Sequence, residues 1–413
     1  MIKEGLSKEQ ISKNIWKLYA GALLGGFAFF YNAIDTLYYR HFGLTFQQIG
    51  WIISASLIAT LVLEVPSGAF ADLYGKKKAL VIAAISNFLA TGLVALGGNF
   101  PIFLLGFVFW GVGRAFNSSA SSAILFDSLK ALDKEKDFLK HTGRISSFFI
   151  SIDVISSLLA PLLFAIQVRL PYFVSLGAAF LVILIQLRLR EVLVLQKQAE
   201  KVLAESFQQI VAGFRSAFKS NIFVWLTLFN VLIFTTGKVF AEMVSTPFLI
   251  NYVGYTLKNL SLILCVGSLM QASFVFFADK LEHRLGDRRS FLLIIIVSPL
   301  ATLAYSFSRN LVLTAILIGI YYSTWSFGEV VIKNYINHNI SDNRRATILS
   351  ISSMLVSAFA LVGLPLLGAI TDKISLQNTL ILLAVTVATL GLLLINQYRG
   401  RKQATENNLI IDR

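Results

Sequence analysis

Residues 64–78 read EVPSGAFADLYGKKK. Two acids, a proline, two glycines and three lysines crowd into this stretch, while the segments on either side are almost wholly apolar. Charge and backbone punctuation of this density mark a turn at the end of one apolar run and the start of the next. The question is what kind of chain needs such a turn.

The chain has 413 residues, of which 56% are hydrophobic and only 14% charged, with a mean hydropathy of +0.72. A soluble domain averages about 25% charged residues, so this composition describes an integral membrane protein. Apolar runs of roughly 20 residues, enough to cross the hydrocarbon core, recur throughout. They lie near 17–39, 46–70, 79–97, 101–126, 145–166, 170–187, 222–249, 258–278, 290–307, 310–332, 346–370 and 376–396. The expected fold is therefore an all-α membrane protein of twelve transmembrane helices in two six-helix bundles.

The formal charge of +14 has a topological reading. With the N-terminus cytoplasmic, 29 of the 36 Lys and Arg fall in inner segments and 5 in outer loops. The remaining 2, Arg114 and Lys238, fall inside spans. This bias places both termini in the cytoplasm, and the basic excess meets anionic lipid. No nucleic-acid motif accompanies it. The start, MIKEGLSKEQISKNIWK, lacks the small-residue cleavage site of a signal peptide.

Cys265 is the single cysteine, and His41, His141, His283 and His338 lack ligand spacing. Gly111-Val112-Gly113 lies within a span, so it makes no phosphate loop. No metal, cofactor or enzymatic chemistry is expected.

Residues 188–221 form the longest inner break, with Leu203, Phe207, Ile210, Phe214 and Phe218 at helical spacing. An amphipathic helix at the cytoplasmic membrane surface is one reading, and a flexible linker the other. The expected division is a first bundle at 1–190, a linker at 191–221 and a second bundle at 222–413. Residues 278–289, ADKLEHRLGDRR, echo the opening stretch between the second and third spans of the second half. Gly75 and Gly286 lie 211 residues apart, about half the chain, as an internal repeat requires.

Gly68, Asp72, Gly75, Lys76 and Lys77 stand in a pattern that resembles the loop 2–3 signature of the major facilitator superfamily. The chain looks like the twelve-helix drug/proton antiporter branch of that family. It departs from the pattern at Leu73, where a basic residue is usual. Gly68 would let span 2 approach a neighbour closely, and Gly75 permits the tight turn. Asp72 would sit at the N-terminus of span 11, near Ala346 and Thr347, where the helix dipole favours a carboxylate. Lys76 would pair with an acid, and Asp127 is similar to the acid that closes this relay in family members. The resemblance implies a breakable gate that latches the two halves on the inner side.

A charge at mid-bilayer costs about 2.5–3.5 kcal/mol on insertion scales, so each one inside a span is a functional candidate. Span 1 carries Asp35, span 4 Arg114 and span 5 Asp153. Span 7 carries Lys238 and Glu242 four residues apart, and span 10 lines up Tyr321, Trp325 and Glu329. Glu64 precedes the gate stretch. Each acid also has a structural reading as half of an ion pair, and the two aromatics an equal reading as lipid-facing. In the resembled family, spans 1, 4, 7 and 10 line the central cavity. Asp153 is the acid expected to hold Arg114, and Asp35, Asp153 and Glu242 are the candidate proton carriers.

The resemblance implies a monomeric secondary transporter of a small, amphipathic solute in a bacterial inner membrane, with protons and lipid as its other partners. Efflux is the favoured direction, with proton-coupled uptake of a small nutrient or zwitterion as the alternative. The helix-5 stretch Ser156–Leu163 keeps a proline at Pro161 but lacks the glycines usual in antiporters. A lipid flippase, receptor or scaffold ranks behind both.

Overall fold

The computed structural model describes residues 7–192, 221–339 and 342–397, and side chains at all of these except 221–222, 337–339 and 342–350. Eleven helices among them are long and apolar enough to cross a membrane. Span 2 is Phe46–Tyr74, span 3 Lys76–Leu96, span 4 Phe100–Lys130, span 5 Phe138–Ile166 and span 6 Leu170–Leu187. Span 7 runs from Asn221 to Val253, span 8 is Leu257–Leu285, span 9 Asp287–Phe307, span 10 Leu311–Asn339, span 11 Asp342–Lys373 and span 12 Leu376–Asn396.

The first span differs from expectation. It consists of Lys8–Phe27 and Asp35–His41, separated by a single 3-10 turn at Phe30–Ile34. A break inside a membrane is tolerated only where the freed backbone groups find partners, and here they do. The Ser156 hydroxyl donates to the Phe30 carbonyl at 2.5 Å, and the Asp35 carboxylate accepts from the Thr36 N–H at 2.6 Å. Span 7 is irregular as well, with π-helical turns at Val239–Val244 and Phe248–Val253.

The chain divides into two compact units. One takes in the described residues up to Leu44 and from Trp51 to Val192; the other takes in Thr45–Gly50 and those from Asn221 onward. The expected amphipathic helix lies outside the described residues from 193 on. In the first unit, span 3 packs on spans 4 and 6, and span 1 on spans 5 and 6. In the second, span 9 packs on spans 10 and 12, and span 7 on spans 11 and 12. These are the same four pairings displaced by six helices, as the internal repeat predicts.

Each unit has an apolar core near its glycine turn. In the first, Ile15, Leu18, Leu80, Ile124 and Leu129 pack together beside Gly75. In the second, Trp225, Phe229, Phe291, Phe327 and Tyr335 do so beside Gly286, and the Trp225 indole donates to the Leu394 carbonyl at 2.6 Å. Elsewhere large apolar side chains face outward, as with Val62, Phe276, Val312 and Val362, each more than 60% exposed. Water would penalise each such side chain by about 1.5–3 kcal/mol relative to burial, whereas lipid tails cover them at no such cost.

Candidate functional site

The opening stretch becomes the end of span 2, one linking residue and the start of span 3. Gly75 alone separates Tyr74 from Lys76, at φ 104°. Gly286 alone separates Leu285 from Asp287 in the second unit, at φ 72°. Both angles lie where glycine is at ease and other residues are strained. The Lys76 ammonium forms an ion pair with Asp127 at the end of span 4, and both side chains are about nine-tenths buried. The sequence-based pairing of these two residues is therefore present, within one unit.

Glu191 completes this cluster. It follows span 6, and its carboxylate accepts from the backbone N–H of Lys76 at 3.1 Å and of Lys77 at 2.8 Å. The sequence reading missed it because it lies 115 residues from Lys76. Its only signal was an acid closing the basic run Arg188-Leu189-Arg190. Gly68, expected to admit a close neighbour, meets none among the described residues. Asp72 is half-buried; its expected seat at 346–347 falls where side chains are outside the described set.

Further into the first unit, Arg114 projects from span 4 with an exposed side chain. Its charge acts on Glu64 of span 2. Span 2 is held against span 4 here, because the Ser67 hydroxyl donates to the Ala115 carbonyl at 3.0 Å. Glu64, which the sequence did not single out as a partner of Arg114, thus lies within reach of its charge. Asp153 is exposed on span 5, one turn before the Ser156 hydroxyl that closes the break in span 1. Asp35 acts electrostatically on the phenols of Tyr31, Tyr39 and Tyr172. Tyr31 and Tyr172 stack at 4.4 Å, and Tyr39 meets Phe103 at 5.4 Å.

In the second unit, Lys238 and Glu242 form an ion pair where span 7 turns from α to π geometry. Such turns often accompany functional sites. Lys238 also lies 5.5 Å from the Phe234 ring centroid. Tyr321 packs on Phe240 with centroids 3.8 Å apart. A Cβ at Gly237 would stand 3.3 Å from the Trp325 indole. Tyr321 and Trp325 line a small cavity with Ile233, Thr236, Ile294, Ser298 and Thr324. Both aromatics therefore meet protein, which removes their lipid-facing reading. Glu329, one turn on, is exposed and feels the charge of Lys333. Thr236 and Ser298 add hydroxyls that the sequence reading did not single out.

Asp279, Glu282 and His283 bring their ligand atoms within 4.8 Å of one another at the end of span 8. Asn334 of span 10 donates to Asp279 at 3.1 Å and to Glu282 at 3.4 Å. This set joins spans 8 and 10 by hydrogen bonds.

Two units that repeat one six-helix packing scheme, each with charged side chains inside its spans, define a polytopic membrane transporter. The model of the Major Facilitator Superfamily matches residues 18–343 and 243–408, and the chain belongs to that family of secondary transporters. It is similar to the quinolone resistance protein NorA of Staphylococcus aureus (strain COL), 20% identical over 372 residues that cover 90% of this chain and 93% of NorA. It is also similar to multidrug resistance protein 2 of Bacillus subtilis (strain 168), 19% identical over 367 residues covering 88% and 90% of the two chains. Among solved structures, a single-residue variant of the nucleoside transporter NupG matches with a TM-score of 0.81 and 12% identity, covering 94% of this chain and all of that one. A D-xylose-proton symporter matches at 0.68 and 14%, covering 92% and 97%. At these identities the structural likeness speaks for the fold.

Proposed function

We propose that the protein exports a small, amphipathic solute by alternating access, in exchange for protons. The carrying observation is the Lys238–Glu242 pair in the π turn of span 7, next to the helix face that meets Trp325. An ion pair within a span is costly to hold there, and it becomes useful if protonation of Glu242 releases Lys238. Tyr321 and Trp325 supply apolar surface, and Thr236 and Ser298 supply hydroxyls, for a solute with both characters. The relatives' names, quinolone resistance and multidrug resistance, support export of foreign amphipathic compounds. We place the chain as a monomer in the inner membrane, with both termini and the Gly75 turn facing the cytoplasm. In this reading bundles 1–190 and 222–413 move about the 191–221 connection, and the Gly68–Lys76 stretch with Asp127 is the inner gate.

Purified protein in proteoliposomes tests this reading. Glu242→Gln should abolish the response of transport to a pH gradient while solute exchange at equal pH persists. Unchanged gradient-driven transport in Glu242→Gln, Asp35→Asn and Asp153→Asn alike would remove these acids from the mechanism. Proton-coupled uptake is the second reading. It is favoured by the opposite charges of Arg114 and Glu64, which suit a zwitterion.

A further inference from the structure

We propose that Glu191 is a positioning residue of the gate: it fixes the first turn of span 3 and so holds Lys76 against Asp127. The inference rests on the reading of the Gly68–Lys76 stretch as a gate. A helix begins with N–H groups that have no partner within it. Most helices answer this with an oxygen-bearing side chain just ahead of the first turn, but span 3 begins after Gly75, which has none. The two carboxylate oxygens of Glu191 take that role from outside, one on the Lys76 N–H and one on the Lys77 N–H. A negative group at this end is also favoured by the helix dipole and by the adjoining lysines.

The fit depends on Gly75, because a Cβ there would stand 2.6 Å from Glu191 Oε2. Glu191 is itself held from behind. Asn14 of span 1 donates to the Arg190 carbonyl at 2.8 Å and accepts from the Arg190 N–H at 3.0 Å. Lys17 donates to the Arg188 carbonyl at 2.6 Å, and Leu189 and Val192 are buried on either side. The second unit solves the same problem differently. There the residue after the glycine is an acid, Asp287, so span 9 carries the negative charge in its own first turn. In span 3 that position is Lys76, which is committed to Asp127. The acid must therefore come from elsewhere, and Glu191, which follows span 6, supplies it.

The test uses full-length protein in lipid, with Cys265→Ser to remove the native thiol and Ser118→Cys as reporter on the exposed face of span 4. Maleimide labelling from the Gly75 side measures gate opening. Glu191→Ala should speed labelling at least about tenfold through loss of two charge-assisted hydrogen bonds. Asp127→Asn should do the same, and the double variant should be no faster than either alone. Glu191→Gln, whose amide keeps one acceptor oxygen, should fall between. Wild-type labelling in both Glu191 variants, or a double variant as fast as the product of the singles, would overturn the proposal. So would a lowered melting temperature without faster labelling, which is the mark of a merely structural cap. If Asp127→Asn alone opens the gate, only the role of Glu191 falls; if neither residue matters, the gate reading falls with it.

Discussion

Asp127→Asn isolates the energy of the Lys76–Asp127 ion pair, the proposed gate. The substitution keeps the shape of the side chain and removes the charge that faces Lys76. Both partners are almost wholly withdrawn from solvent, with side-chain exposures of 12% and 10%, so screening by water does not erase their interaction. Removing one partner of a fully buried pair costs about 3–5 kcal/mol. Lys76 stands at the first position of span 3, where its flexible stem can carry the ammonium back to water. A loss of about 1.5–3 kcal/mol, the range for a hydrogen bond to a charged group, is therefore expected. If the pair exists in one conformation and is broken in the other, the whole loss enters the conformational equilibrium, at a tenfold change per 1.4 kcal/mol. The inward-open population should rise about 10- to 150-fold relative to the closed one. Single-cysteine labelling reads that ratio, and equilibrium substrate binding should change little. Unchanged labelling with a loss of thermal stability of the same size would show that the pair persists in both states, which refutes the gating argument.

Gly75→Ala combines an unfavourable φ with a close contact at Glu191, and should cost about 1–3 kcal/mol; a wild-type melting temperature for the purified variant would contradict the geometry. Trp325→Ala strips the largest apolar side chain from the second-unit cavity, and should weaken binding of an amphipathic solute by at least about tenfold, measured by isothermal titration. Arg114→Lys keeps the charge opposite Glu64 but loses the planar fork, so transport should recover only in part relative to Arg114→Ala; full recovery in a flux assay would reduce Arg114 to a point charge. Asp35→Asn should remove the charge among Tyr31, Tyr39 and Tyr172 while keeping the acceptor for the Thr36 N–H. A shift in the pH dependence of transport with unchanged melting temperature is expected, and a change in stability alone would make Asp35 structural.

Much of this architecture was legible in the residues because the membrane imposes a single length scale. Apart from the first, the apolar runs returned as helices within seven residues of their sequence limits, and the 211-residue echo returned as two single-glycine turns with repeated helix pairings. The break in span 1 was not legible. Its sequence is as apolar as a continuous helix, and what stabilises the break is a hydroxyl on Ser156, more than a hundred residues away. The ion pair Lys76–Asp127 was available from the resemblance, whereas the cap on the same turn was not. Glu191 follows a basic run and reads locally as one more surface charge, and only the fold places it on the N–H groups of Lys76 and Lys77. Depth along a helix suggested Asp153 as the acid beside Arg114, and depth alone could not show that the charge of Arg114 also reaches Glu64 on span 2.

The central claim is exchange of solute against protons, and the sign of coupled accumulation tests it most directly. Proteoliposomes containing the purified protein and a fluorescent amphipathic solute at equal concentration on both sides are given a pH gradient, with the membrane potential clamped. Exchange against protons predicts that the solute accumulates in the acidic compartment, and that Glu242→Gln abolishes this accumulation while equal-pH solute exchange continues. Accumulation in the alkaline compartment would establish uptake with protons and contradict the account.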